Sequence, residues 1–221
     1  MSRESMRFDK IAATLSALTI VINTFVYYLA KFIDGDGPFH DVSCFLDDYI
    51  QFSTPWIIIY VLSFPFWMLS FYYIGSHSDR DYFYKFITID IICKILAFIM
   101  FVVYPTDCLA RPEFTNPDGV LTWICSVVYA ADTPINLFPS LHVQYSLMCA
   151  VGIYKVNDAP KWLKYATVIF VILIILATQF TKQHYIIDIL GSIEIMIIAY
   201  FINKFTKTDR ILHRILDKYE K

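Results

Sequence analysis

Six stretches of the chain are apolar and close to the ~20 residues that a helix needs to cross the hydrocarbon core of a bilayer. They run over Ile11–Phe32, Trp56–Ile74, Phe86–Tyr104, Leu137–Tyr154, Trp162–Phe180 and Tyr185–Phe205. The fourth is the shortest and most polar, and Pro65 predicts a kink in the second. A further apolar run, Leu121–Ala131, is too short to span and reads as an interfacial or re-entrant helix. With 57% apolar and 17% charged residues, the chain lacks the polar surface that a soluble domain of 221 residues requires. The 19 Phe and 16 Tyr suit the cores and aromatic belts of membrane proteins. The expected fold is all-α: a polytopic membrane protein with a six-transmembrane-helix bundle and a short interfacial helix in the outer loop before span four, forming one domain over residues 1–221. Arg3, Arg7 and Lys10 flank the first span as they would a signal peptide, but no small-x-small cleavage pattern follows, so it is read as a retained span.

Orientation follows from where Lys and Arg fall. With the N-terminus in the cytoplasm, 14 of the 18 lie in inner segments, at residues 3–10, 80–85, 155–164 and 204–221. Only Lys31, Arg111 and Lys182 lie outside, and Lys94 falls within a span. The first outer loop is acidic, with Asp34, Asp36, Asp41, Asp47 and Asp48. The expected location is the cell membrane, with both termini cytoplasmic. In the tail, Ile211, Leu212, Ile215, Leu216 and Tyr219 share one helical face, which suits a helix on the inner leaflet and a solvated tail equally. The five cysteines show no metal-binding spacing, and a Cys44–Cys108 disulfide is left open.

Ionisable groups at membrane depth are costly and are functional candidates by default. Two clusters stand out: Phe138-Pro139-Ser140-Leu141-His142 opens the fourth span, and Thr181-Lys182-Gln183-His184 leads through Tyr185 to Asp188 at the start of the sixth. Under the assigned topology His142, His184 and Asp188 reach one membrane level on the outer side. His184 and Asp188 are four residues apart, one turn on one helix face. A carboxylate there fixes the imidazole tautomer and makes the other nitrogen a better nucleophile. Pro139 and Ser140 suit a helix start, where free N–H groups favour a phosphate. His142, just inside that turn, is placed to protonate a leaving oxygen.

These residues resemble the type 2 phosphatidic acid phosphatase superfamily of membrane lipid phosphatases and phosphotransferases. Its P-S-x-H element is matched by Pro139-Ser140-Leu141-His142, and its H-x-x-x-D element by His184 through Asp188. The forms F-P-S-L-H and Q-H-Y-x-x-D look most like the branch that includes inositol phosphorylceramide synthases and their bacterial relatives. The family's first element, a Lys followed after six residues by Arg-Pro, is matched only at Arg111-Pro112, with Tyr104 at the Lys position. Its usual Ser-Arg seven residues before the second His is replaced by Ala177 and Thr178, and Lys182 is the candidate to replace a missing cation. The resemblance implies that His184 attacks phosphorus and forms a phosphohistidine, with Asp188 holding it. It implies that His142 protonates the leaving alkoxide, while Arg111, Ser140 and Lys182 bind phosphate oxygens. No metal and no cofactor are implied.

The leading expectation is therefore a phosphatase acting on a lipid phosphate or pyrophosphate at the outer leaflet. A phosphotransferase moving a phospho-head group to a lipid alcohol is the nearest alternative, and a non-enzymatic lipid-binding or transport protein the alternative of another class. The expected partners are a lipid phosphate and the bilayer, not nucleic acid. Lys94, four residues after Asp90, reads as half of an intramembrane ion pair rather than a phosphate ligand. Glu194 either borders the site or hydrogen-bonds within the bundle.

Overall fold

A computed structural model of the chain describes residues 3–34, 37–108 and 110–220. Among them the chain forms eight helices: α1 (Arg3–Asp34), α2 (Ile57–His77), α3 (Arg80–Val103), α4 (Val120–Ala131), α5 (Leu141–Lys155), α6 (Lys161–Phe180), α7 (Ile186–Thr206) and α8 (Asp209–Glu220). Five of these, α1, α2, α3, α6 and α7, are long and apolar enough to cross a membrane. The helix predicted over Leu137–Tyr154 begins only at Leu141, because the chain bends at Phe138 and Pro139, and Ser140, in an extended conformation, caps the first turn. The remaining 15 residues of α5 make ~22 Å of helix at about 1.5 Å per residue, short of a span by length alone. α4 matches the short apolar run expected before it.

Helix ends follow local chemistry. The Asp79 carboxylate accepts from Tyr82 N at 2.8 Å and opens α3. Ser140 Oγ accepts from Val143 N at 3.2 Å and opens α5. Lys207 adopts the left-handed conformation (φ 55°) that closes α7. α2 continues through Pro65, whose missing N–H leaves the Val61 carbonyl without its helical donor.

Large apolar side chains such as Val21, Phe25, Leu69, Ile169 and Ile197 are exposed, as a surface facing lipid requires, and the chain fits an integral membrane protein. Inside, Phe71, Ile74, Phe83, Tyr145 and Cys149 form the largest core cluster. Close approach of helices depends on small residues: a Cβ at Gly152 would lie 2.3 Å from Ile74 Cδ1.

A buried ion pair lies within the bundle. The Lys94 ammonium donates to Asp90, both side chains fully buried, as the four-residue spacing led one to expect. Lys94 also lies 4.4 Å from the centre of the Tyr145 ring. Glu194 is exposed, pointing away from the bundle interior. α8 turns back on the bundle: Leu212 and Leu216 pack on the core, Ile211 and Ile215 stay exposed, and His213 meets the Tyr84 ring edge-on at 4.7 Å. The tail is thus docked against the start of α3 rather than solvated on all sides.

At the other end of the bundle the loops are tied by two short parallel strands, β1 (His40–Asp41) and β2 (Thr106–Asp107). Buried Thr106 organises the approach to α5. Its carbonyl accepts from Asn136 N at 2.7 Å, and its hydroxyl accepts from Leu137 N and Phe138 N, both at 3.0 Å. All five cysteines are free, so the Cys44–Cys108 bridge left open by the sequence is not formed.

Candidate active site

The two sequence clusters, about 40 residues apart, are joined by direct bonds between α5 and α7. Ser192 Oγ lies 2.8 Å from the Ser140 carbonyl oxygen and 2.7 Å from that of Asp188, able to donate to either. The Ser140 N–H donates to the Asp188 carbonyl at 3.4 Å. Phe138 packs on α7 at Gly191, where there is no side chain to obstruct it. The start of α5 is therefore bolted to the first two turns of α7, which carry Asp188 and follow His184.

His184 Nδ1 lies 3.0 Å from Asp188 Oδ2. A carboxylate only accepts, so Nδ1 carries the hydrogen and Nε2 keeps its lone pair. The same Asp188 oxygen accepts from Tyr185 N at 3.0 Å, which fixes the carboxylate as well as the ring. The loop before it is set by Lys182 in the left-handed conformation (φ 50°) and by the Thr178 carbonyl, which accepts from Gln183 N at 2.9 Å and His184 N at 3.2 Å. Buried Asp47, from the acidic loop, accepts from Ile186 N at 2.9 Å and so caps α7 from outside the helix.

His142 faces His184, with ring centroids 5.6 Å apart. It stacks on Tyr60 at 4.7 Å and meets Trp67 at 5.3 Å and the edge of Phe64 at 5.8 Å. Its Nε2 is buried and has no hydrogen-bond partner in the protein. Tyr60 donates its hydroxyl to Asp132 Oδ2 at 2.8 Å, so the ring that stacks on His142 is itself held in place.

Both imidazoles line one cavity of about 210 Å³, together with Asp132 and Asn136 from the segment between α4 and α5, and Asn23 and Tyr27 from α1. A second, apolar groove of about 320 Å³ shares Asn23, Thr24 and Phe64 with it and runs between α1 and α2 along Pro65, Met68 and Tyr145. Among the described residues, no group of three or more His, Cys, Asp or Glu could hold a metal ion.

Of the other expected phosphate ligands, Ser140 is fully buried as the cap of α5 and does not line the cavity. Arg111 does not line the histidine cavity but a neighbouring one of about 450 Å³. Its guanidinium donates to the Lys182 carbonyl at 3.3 Å, to the Asp132 carbonyl and to Gln183 Oε1, over the face of Tyr129. It fastens the two loops that carry the site. The Lys182 ammonium donates to the Asp47 carbonyl at 3.0 Å. Tyr104, at the family's Lys position, stacks on His40 at 4.1 Å. Ala177 and Thr178 are buried, and the Thr178 hydroxyl donates to Ile175 O at 2.7 Å.

Sequence reading missed Asp132, Asn136, Tyr60 and Asp47. Asn136 and Asp132 stand within ten residues of His142, a usable signal. Tyr60 and Asp47 carry none, since an aromatic in an apolar run and one Asp among five in a loop are unremarkable.

A family model described as the PAP2 superfamily matches residues 39–202. No curated protein and no solved structure gives a significant match. The matched region covers most of the chain and contains both histidine clusters and every helix of the site except α1: the protein belongs to the PAP2 superfamily.

Proposed function

We propose that the protein is an integral membrane phosphatase that hydrolyses a lipid phosphate or pyrophosphate monoester at the outer leaflet through a phosphohistidine. Members of the superfamily are generally phosphatases or phosphotransferases. One observation carries the reading: His142 and His184 line the same cavity, with His184 backed by Asp188 at 3.0 Å. The apolar groove that continues from this cavity between α1 and α2 suits an acyl or prenyl tail lying in the bilayer.

In the proposed reaction, His184 Nε2 attacks phosphorus, the P–N bond forms and the ester P–O bond breaks. Asp188 stabilises the imidazolium that results, and His142 gives its proton to the departing alkoxide. Water then attacks phosphorus, His142 takes back a proton, and the P–N bond breaks to release phosphate. Ser140 supports the phosphate through the N-terminus of α5. Arg111 and Lys182 contribute positive charge from behind the 182–184 loop. The assignment of these six residues rests on the motif match and the geometry together.

Six crossings, with both termini in the cytoplasm and the site outside, are part of the proposal. α5 starts beside the loop that ends α6, and a five-residue connection joins its end to the start of α6. In this reading α5 runs antiparallel to α6, with residues 137–140 leading into it from the outer face. The Lys and Arg asymmetry supplies the sidedness. The forms of the two motifs support a place in the inositol phosphorylceramide synthase-like branch.

The test is an assay of the detergent-purified protein against a panel of lipid phosphates and pyrophosphates, with His142→Ala and His184→Ala alongside. Release of inorganic phosphate without an added acceptor, abolished in both variants and unaffected by EDTA, is expected. Product formation only when a lipid alcohol is supplied would assign the transferase reaction, which uses the same histidines. No turnover of any substrate, or variants equal to wild type, would leave a non-enzymatic lipid-binding protein.

A further inference from the structure

The Lys and Arg that the family usually places around phosphate are replaced here by Tyr104 and Thr178, and Arg111 and Lys182 are engaged elsewhere. Three nitrogens of Arg111 donate to oxygens of residues 132, 182 and 183, and Lys182 donates to Asp47. Non-bridging phosphate oxygens in the histidine cavity therefore need another donor.

Asn136 has the features of one. It lines the cavity with both histidines and is only 3% exposed. Its backbone is fixed: N–H donates to the Thr106 carbonyl at 2.7 Å, and the next two N–H groups share the Thr106 hydroxyl. Its side chain is not: neither Oδ1 nor Nδ2 has a hydrogen-bond partner in the protein. A buried amide with both ends unmade is costly and calls for a partner that enters the cavity. The residue also sits at φ 56°, a conformation that Gly adopts more readily than Asn.

We propose that Asn136 is a catalytic residue whose Nδ2 donates a hydrogen bond to a non-bridging phosphate oxygen, a neutral donor taking the place of a missing cation. The proposal rests on the phosphatase reading above and names a residue that the family motifs do not. A fixed amide aimed at charge that develops in the transition state needs no reorganisation at the moment of reaction. Its carbonyl end is then free to accept from a water or a substrate hydroxyl.

The experiment uses full-length protein in detergent with a short-chain lipid phosphate as substrate and orthovanadate as the phosphoryl-transfer analogue. Asn136→Gly keeps the left-handed backbone and removes the amide. Asn136→Asp keeps the shape and replaces the donor by an acceptor, and Asn136→Ser restores a donor. The expected result is a fall in kcat of ~10²–10³-fold for Gly and Asp, with a raised inhibition constant for vanadate and partial recovery in Ser. The inhibition constant does not depend on how much protein is folded, so a lowered melting temperature does not obscure the outcome. Gly and Asp variants with the wild-type kcat and vanadate constant would overturn the assignment, and would show that a bound water satisfies the amide. If His184→Ala is inert while Asn136→Gly is unimpaired, only this inference fails. If the wild type is inert and insensitive to vanadate, the phosphatase reading fails with it.

Discussion

Phe138 lies on Gly191 so closely that a Cβ built on the glycine would stand 2.4 Å from the ring. This contact sets the entry of the chain into α5 against α7, and with it the distance between His142 and His184. Gly191→Ala is expected to destabilise by about 1–3 kcal/mol, the usual cost of overpacking, and to lower activity further by moving the two imidazoles apart. Adding Phe138→Leu to Gly191→Ala should recover much of both. Thermal unfolding in detergent and the phosphate-release assay check this, and a single Gly191→Ala variant indistinguishable from wild type would contradict it.

Asp188 holds His184 through Nδ1 and also takes the Tyr185 N–H. Asp188→Asn keeps the size but loses the charge that stabilises an imidazolium, and frees the ring to take the wrong tautomer. A drop in kcat on the order of 10²–10⁴-fold is expected, with KM little changed because the tail groove is untouched. A steady-state comparison across substrate concentrations separates the two, and an effect confined to KM would argue against the assigned role.

The Asp90–Lys94 pair is fully buried in the bundle and also engages Gln144, whose amide lies 3.4 Å from Asp90 Oδ1. Removing one partner leaves an uncompensated charge, so Lys94→Met should cost about 3–5 kcal/mol, while the double change Asp90→Leu with Lys94→Met should be far milder. Because the pair is structural in this reading, the double variant should keep its turnover. Loss of activity in a double variant that unfolds at the wild-type temperature would instead place Lys94 on the phosphate.

Cys108 is buried, with its thiol 3.5 Å from the Lys182 carbonyl, and burial pushes its pKa above the ordinary thiol value. A raised pKa means less thiolate at any given pH, so maleimide labelling of Cys108 should be slow at neutral pH and accelerate as the pH climbs past the usual thiol range. Cys44, half-buried and unpaired, should label faster. Mass spectrometry of the labelled peptides decides the order. Because the cysteines are free, treatment with a reductant is expected to leave mobility and activity unchanged.

The helices were legible in the sequence because they obey local rules. An apolar run of sufficient length forms a helix in lipid whatever its neighbours, since every backbone group must be paired within the segment. The exception is instructive: Pro139 and Ser140 lie in an apolar stretch, yet hydropathy does not register that the residues at 137–140 take their partners from Thr106 and Asp188 rather than from a helix.

The candidate His184–Asp188 pair was legible from short spacing alone. The spacing of four led to the expectation of one helical face, but His184 lies in the loop before α7 and meets Asp188 across the start of that helix, its N–H held by the Thr178 carbonyl.

What a phosphate would touch was another matter. Arg111 was expected to face the phosphate and instead fastens loops, while Asn136, Asp132 and Tyr60 line or brace the cavity without any motif to mark them. Sequence by itself determined the five long apolar helices, the family and the spacing that pairs His184 with Asp188, because these depend on hydropathy and short spacings. Only the tertiary structure decided which donors face the cavity, because that depends on how loops far apart in the chain compete for the same hydrogen bonds. Arg111, able to reach three oxygens at once, was drawn to them and left Asn136 unpaired beside the histidines.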